Sequence, residues 1–203
     1  FRRASDDGGY GRSGGDYPPF IEYTRGGMAY EMTREKIGSI QSGAAASIRE
    51  EKGSSWTSSV TPSLSYDSRD HFFNPTEGAL AGLAVKYAGL GGDTGFLKTD
   101  TRGRWYYSVL KDPNWGGTYT VALGGALGYG VGFKERPSGK KDLPLFERYF
   151  PGGLNSVRGF SERSLGPREG DDVVGGDKQA VLSAELWFPI MEHYGLRGIA
   201  FFE

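Results

Sequence analysis

The chain has 203 residues with 24 basic and 25 acidic side chains, and its net charge of −1 gives no sign of a nucleic-acid partner. It contains 34 glycines, 12 phenylalanines, 12 tyrosines, 4 tryptophans and no cysteine, which excludes disulfides and thiol chemistry. Mean hydropathy is negative, and no window approaches the ~20 apolar residues that a membrane helix needs. A membrane β-barrel hides its apolar face by alternation, so the composition suits such a barrel or a soluble β-sandwich.

Alternation of apolar and polar side chains predicts an all-β, antiparallel chain of about eight strands joined up and down. No helical apolar periodicity of useful length occurs. In chain order the predicted strands are a broken segment at 20–33 with a bulge at Gly26-Gly27, weak alternation at 36–50, a clear strand at 56–70, weak alternation at 77–90, clear strands at 98–108, 117–133 and 180–190, and weak alternation at 196–203.

The two faces of the predicted strands favour a transmembrane barrel over a sandwich. The strand at 117–133 has one bulky apolar face and one face of small residues, whereas the strand at 98–108 has a charged face. A sandwich would bury an aliphatic face, but charged and glycine-rich faces suit a wet lumen with a segment packed inside it. A charge at Thr120 is therefore expected to be tolerated better than one at Leu127. The side chains predicted to face lipid are Leu64, Leu123, Leu127, Val131, Leu182 and Leu186.

The predicted connections differ in length between the two rims. Turn-forming residues occupy 70–76 and 111–116 on one rim, and Gly91-Gly92-Asp93 makes a short turn on the other. The long segment 134–177 falls on this second rim by parity. Membrane barrels have short periplasmic turns and longer extracellular loops, so 134–177 should begin on the extracellular side. A loop of that length needs partners to remain ordered.

The segment 148–168 carries the most specific pattern in the chain. It reads Arg-Tyr-Phe-Pro-Gly-Gly-Leu-Asn-Ser-Val-Arg-Gly-Phe-Ser-Glu-Arg-Ser-Leu-Gly-Pro-Arg. It resembles the Val-Arg-Gly-Phe loop of the BamA-type outer-membrane insertases, in the bacterial surface antigen superfamily. The matching residues are the motif Val157, Arg158, Gly159 and Phe160, the flanking Arg148, Gly152 and Gly153, and Leu165-Gly166-Pro167 after it.

The resemblance implies that the loop folds back into the lumen, where Arg158 contacts acidic residues on the following strands. The candidates are Glu185 and Glu203, the second being Glu where the family usually has Asp. A guanidinium suits carboxylates, Gly159 permits a turn at positive φ, and Phe160 offers an anchor. The glycine face of 118–132 would leave room for the returning loop. A solvated loop arginine and a water-facing Glu185 remain the alternatives.

The resemblance also implies a function and a domain plan. Residues 1–203 would form part of a sixteen-stranded barrel, with POTRA domains and the terminal strands outside this sequence. The whole protein would be the central component of the bacterial outer-membrane assembly machinery. It would fold and insert nascent outer-membrane proteins into outer-membrane lipid, with accessory lipoproteins and no cofactor. The alternatives are a TamA-like assembly factor or a two-partner secretion transporter of the same superfamily, and then a passive porin or an outer-membrane enzyme.

Chemistry-bearing patterns are sparse. The two histidines, His71 and His193, lie near predicted turns, and no Gly-x-Ser-x-Gly nucleophile elbow occurs. No clustered histidine or cysteine ligands suggest a metal. We therefore expect no catalytic residue and no metal site, and we expect that the protein is not an enzyme.

Overall fold

The computed structural model describes residues 19–41, 43–111, 117–135, 139 and 141–203. Seven strands form one antiparallel sheet in which each strand pairs with the next one along the chain. These strands are β1 (Thr24–Ile37), β2 (Gly53–Asp67), β3 (Gly78–Gly92), β4 (Phe96–Lys111), β5 (Thr118–Gly132), β8 (Lys178–Met191) and β9 (Leu196–Phe202). The order β1-β2-β3-β4-β5-β8-β9 confirms the all-β, up-and-down prediction. Within the described residues β1 and β9 are the open edges of the sheet.

Shorter helices, 3₁₀ turns and a two-stranded hairpin lie outside the seven-stranded sheet. The helices are α1 (Pro19–Glu22) and α2 (Ala46–Glu50), the 3₁₀ turns are Leu145–Glu147 and Glu192–Tyr194, and β6 (Arg168–Glu169) pairs with β7 (Asp172–Val173) as a separate hairpin. No helix in the described segments is both long and apolar enough to cross a membrane.

Two details of the strand prediction are wrong. The weak alternation at 36–50 is not a strand: β1 ends at Ile37, and a loop containing α2 follows. This segment contains two glycines and three consecutive alanines (44–46), and both residue types are poor strand formers. The bulge at Gly26-Gly27 is also absent, because β1 and β2 pair without a register shift from Thr24 to Ile37. The predicted turn-formers at 112–116 lie outside the described residues.

One face of the sheet is apolar and exposed, as predicted. The six side chains assigned to lipid are exposed: Leu64, Leu123, Leu127, Val131, Leu182 and Leu186. Stacked aromatic pairs flank this surface, Tyr87 with Phe133 toward one rim and Trp105 with Tyr107 toward the other. Aromatic rings at both borders of an aliphatic zone are typical of membrane-spanning strands.

The opposite face is covered by the loop 134–177, here called the lumen loop, on the side where the glycines of β5 lie. Leu143 is fully buried against Ala88 and Phe96. A Cβ on Gly128 would lie 2.4 Å from the Tyr149 ring, and a Cβ on Gly130 would lie 2.6 Å from Leu143. The small-residue face therefore admits the loop, as the sequence predicts. The expectation that a charge at Thr120 is tolerated is wrong. Thr120 is fully buried, so a charge there would be costly.

Gly132→Ala is expected to displace the start of the lumen loop. Its Cβ would meet the backbone oxygen of Asp142 at 2.2 Å, and backbone cannot yield as a side chain can. Overpacking of this kind costs about 1–3 kcal/mol. Limited proteolysis of the refolded full-length barrel should show faster cleavage within 134–177. Gly103→Ala is the control, because the nearest atom to its Cβ would be the Leu80 oxygen at an ordinary 3.8 Å. Equal cleavage in both variants would contradict the packing.

Candidate functional site

Arg148 ties the two ends of the lumen loop together. Its guanidinium donates to Asp142 Oδ2 at 2.7 Å, to the Leu143 carbonyl at 3.0 Å and to the Val174 carbonyl at 3.2 Å. The next residue, Tyr149, exchanges two backbone hydrogen bonds with Gly176. Arg148 thus closes the base of the loop, so that the loop leaves and rejoins the sheet at one place.

A charged cluster attaches this base to the wall. Glu147 accepts from Lys86 Nζ at 2.6 Å and from Lys98 Nζ at 3.3 Å, and its side chain is only 12% exposed. Lys98 also lies 4.7 Å from the ring centre of Tyr149, whose hydroxyl donates to the Thr99 carbonyl. The charged face predicted on 98–108 therefore faces the lumen loop.

Glu147→Gln is expected to loosen the loop base, because it removes the negative charge that pairs with both Lys86 and Lys98. Hydrogen bonds to charged groups contribute roughly 1.5–3 kcal/mol, so the barrel should unfold at a lower temperature on heat-shift electrophoresis. Glu162→Gln, on an exposed residue of the same loop, is the matched control. A Glu147→Gln barrel as heat-resistant as the control would show that the cluster adds no stability.

The motif turn is built on glycines in the left-handed region. Gly152, Gly153 and Gly159 have φ values of 113°, 93° and 90°. The positive φ predicted for Gly159 is therefore present. The backbone N–H of Gly153 donates to the Phe160 carbonyl at 3.0 Å, which closes the turn around the motif.

Phe160 is not the anchor that the sequence suggests. Its side chain is 54% exposed, and Val157 is only half-buried. The turn is held instead by main-chain hydrogen bonds and by Arg158. Phe160 follows Gly159, so the direction of its side chain depends on the conformation of the turn. The sequence pattern does not reveal that direction.

Arg158 joins two carboxylates, Glu185 on β8 and Glu203 directly after β9. Its Nη2 lies 2.6 Å from Glu185 Oε1 on β8, and its Nε donates to Glu203 Oε1 at 2.7 Å. The backbone N–H of Arg158 donates to the other Glu203 oxygen. The guanidinium also stacks 3.8 Å from the ring centre of Phe201. The structure thus brings Arg158, Glu185 and Glu203 together, in the arrangement that the resemblance implies.

The cluster is largely shielded from water. The Glu185 and Glu203 side chains are 3% and 7% exposed, and that of Arg158 is 20% exposed. Burial alone would lower the pKa of Arg158, but its hydrogen bonds to Glu203 and Glu185 raise that pKa above the ordinary value. Glu185 is therefore not a water-facing lumen carboxylate, and Arg158 is not a solvated loop arginine.

The sequence did not predict the contacts between the lumen loop and the segment that contains α2. Asp172 Oδ2 accepts from the Ala45 N–H at 2.7 Å, and Glu169 Oε2 accepts from the Ser47 N–H at 3.1 Å. The hairpin β6-β7 thereby holds the start of α2. Because the sequence predicts a strand at 36–50, it could not place this segment over the lumen loop.

Two further wall residues at the site were also missed. Arg104 Nη2 lies 3.3 Å from Glu185 Oε1, and Trp187 Nε1 donates to Glu185 Oε2 at 2.7 Å. The charged face of 98–108 was the available signal for Arg104. The position of Trp187 in the sequence gives no sign of its contact with Glu185.

Among the described residues, no group of three or more histidine, cysteine, aspartate or glutamate side chains is arranged to hold a metal ion.

The sequence matches the model of the Omp85 superfamily domain over residues 7–203. That is nearly the whole chain. The chain belongs to the Omp85 superfamily.

The Omp85 relatives come from bacteria and from eukaryotes. The outer membrane protein assembly factor BamA of Nitratidesulfovibrio vulgaris is 30% identical over 91% of this chain and 22% of its own length. A SAM50-like protein of Schizosaccharomyces pombe is 34% identical over 72% of this chain and 30% of its own length. The chain therefore spans between a fifth and a third of the length of these relatives.

A solved structure shares the Omp85 fold. The crystal structure of BamA from Haemophilus ducreyi lacking POTRA domains 1-3 superposes with a TM-score of 0.74 at 20% identity. It covers 90% of this chain, whereas the chain covers 38% of that structure. The seven-stranded sheet thus corresponds to part of a BamA barrel wall.

Proposed function

We propose that this chain is the loop-bearing part of the barrel of an outer-membrane assembly factor, which folds and inserts nascent β-barrel proteins. Its Omp85 membership and its likeness to BamA and SAM50-like proteins support a role in outer-membrane protein assembly. The observation that carries the proposal is the lumen loop pinned by Arg158 to Glu185 and Glu203. A segment packed along the inner face narrows any water-filled path, which disfavours an open passive pore.

The proposed location is the bacterial outer membrane, with lipid against the exposed leucine face. One bacterial relative, the BamA of Nitratidesulfovibrio vulgaris, aligns with 91% of this chain. The proposed partners are nascent outer-membrane proteins and accessory lipoproteins of an assembly complex. The remaining wall of a sixteen-stranded barrel and the POTRA domains belong to the proposed full-length protein.

The proposed activity needs no catalytic residue and no cofactor, because the folding of the substrate can drive its own insertion. The wall and the pinned loop would present a shaped, partly polar surface beside the lipid. A new strand can then gain main-chain hydrogen bonds at a sheet edge before it leaves into the membrane.

Depletion of the full-length protein in its own host tests the proposal. Quantitative proteomics of outer-membrane fractions should show a joint decline of many β-barrel proteins, while lipoproteins of the same membrane are spared. Restoration by the wild-type gene is the control. Loss of one exported protein alone would favour a two-partner secretion transporter. An unchanged outer-membrane profile would contradict an assembly role.

A further inference from the structure

Glu185 receives its donors on two separate oxygens. Oε1 faces the lumen loop and accepts from Arg158 at 2.6 Å, while Oε2 accepts from Trp187 at 2.7 Å. Arg104 approaches Oε1 from the wall at 3.3 Å. Arg104 and Trp187 therefore orient the Glu185 carboxylate to which Arg158 donates.

Arg104 reaches Glu185 because the strand between them, β5, carries small residues there. Arg104 on β4 is paired with Gly124, and Glu185 on β8 is paired with Ala122. The Arg104 side chain thus crosses β5 diagonally. A Cβ on Gly124 would lie 3.1 Å from Arg104 Nε, so the glycine keeps this path open.

Trp187 is held in place by a second contact across β5, with a residue of β4. It pairs with Thr120 on β5, and its ring packs edge-on against Tyr106 of β4 with the ring centres 5.7 Å apart. Tyr106 and Thr120 are both buried. With its ring fixed in this way, the indole N–H has one direction to donate, and that direction is Glu185.

The two carboxylates of the site therefore differ in what holds them. The donors of Glu185 include two on the strands, whereas the hydrogen bonds that the described residues give to the Glu203 side chain all come from Arg158. When the lumen loop withdraws, Glu185 keeps its wall donors. A buried carboxylate without donors is costly, so these donors keep the site ready for the loop.

We propose that Arg104 and Trp187 are positioning residues of the Arg158 site: from the barrel wall they orient Glu185 so that the lumen loop can dock on it. This rests on the proposed function, in which the docked loop is part of the assembly machinery. Neither residue belongs to the motif, and both act through Glu185 rather than on a substrate.

Amide hydrogen–deuterium exchange on the full-length barrel tests this. The backbone N–H of residue 158 donates to Glu203, so its exchange reports docking. Trp187→Phe keeps the ring and removes the donor, and Arg104→Gln removes the charge. Each should make residue 158 exchange roughly tenfold faster, the change expected for one hydrogen bond to a charged group. Amides of β8 such as that of Leu182 should exchange as in the wild type.

The matched controls are Trp105→Phe on the exposed face and Arg102→Gln, an exposed residue that lines the same cavity. Arg104→Lys should restore slow exchange at residue 158. Unchanged exchange there would overturn the proposal, and so would faster exchange that extends equally through β8, because that marks general loosening. If exchange responds as expected while depletion of the full-length protein leaves the outer-membrane profile unchanged, the proposed function fails and the positioning role stands.

Discussion

Arg158→Ala is expected to release the lumen loop and to lower assembly activity, while the barrel itself still forms. Truncating one partner of a buried, hydrogen-bonded charge pair costs about 2–5 kcal/mol. Here that cost falls on loop docking, because Glu185 keeps Arg104 and Trp187 and the sheet hydrogen bonds are untouched. Docking would weaken by at least tenfold, since ~1.4 kcal/mol corresponds to a factor of ten.

The measurement is a depletion strain that expresses the full-length variant. Folded outer-membrane proteins should fall well below the wild-type level, while the amount of the heat-modifiable variant barrel stays near normal. Arg158→Lys should be intermediate, because one ammonium cannot reproduce the two-carboxylate fork. Arg168→Ala is the control, since that side chain donates to the Asp171 and Ser164 carbonyls of its own loop. Wild-type growth of Arg158→Ala would count against the role of the cluster.

Leu127→Arg is expected to destabilise the barrel, because Leu127 is 56% exposed on the face assigned to lipid. It lies between the two stacked aromatic pairs, in the aliphatic zone of that face. An arginine at the bilayer midplane of a barrel's outer surface costs about 2–4 kcal/mol. Urea unfolding of the full-length barrel in lipid vesicles should show the loss.

The matched control lies at the same height on the other face. Gln179 pairs with Gly128, directly beside the pair Leu127 and Ala180, and it lines the lumen cavity. Gln179→Arg should be tolerated, because a charge there meets water and polar side chains. Gln179 replaces Thr120 in this comparison, since Thr120 is fully buried. Equal destabilisation by both arginines would refute the assignment of the faces.

The faces of the strands could be predicted from sequence because a strand has a side-chain period of two. Leu123 and Leu127 therefore had to share a face with Val131, whatever the rest of the chain did. The same logic failed at 36–50, where weak alternation among glycines and alanines carries little information about burial. There the contacts of Ala45 and Ser47 with Asp172 and Glu169 decide the conformation, and these come from residues far along the chain.

Sequence by itself determined the strand faces and the rim from which the lumen loop leaves, because these follow from local periodicity and from parity. The pairing of Arg158 with Glu185 and Glu203 was implied only by the resemblance of residues 148–168 to a known loop motif. Only the tertiary structure decided that Phe160 stays half-exposed and that Arg104 crosses β5 beside Gly124 to reach Glu185. Such contacts depend on strand register and on the direction of a turn, which are set by packing between distant segments.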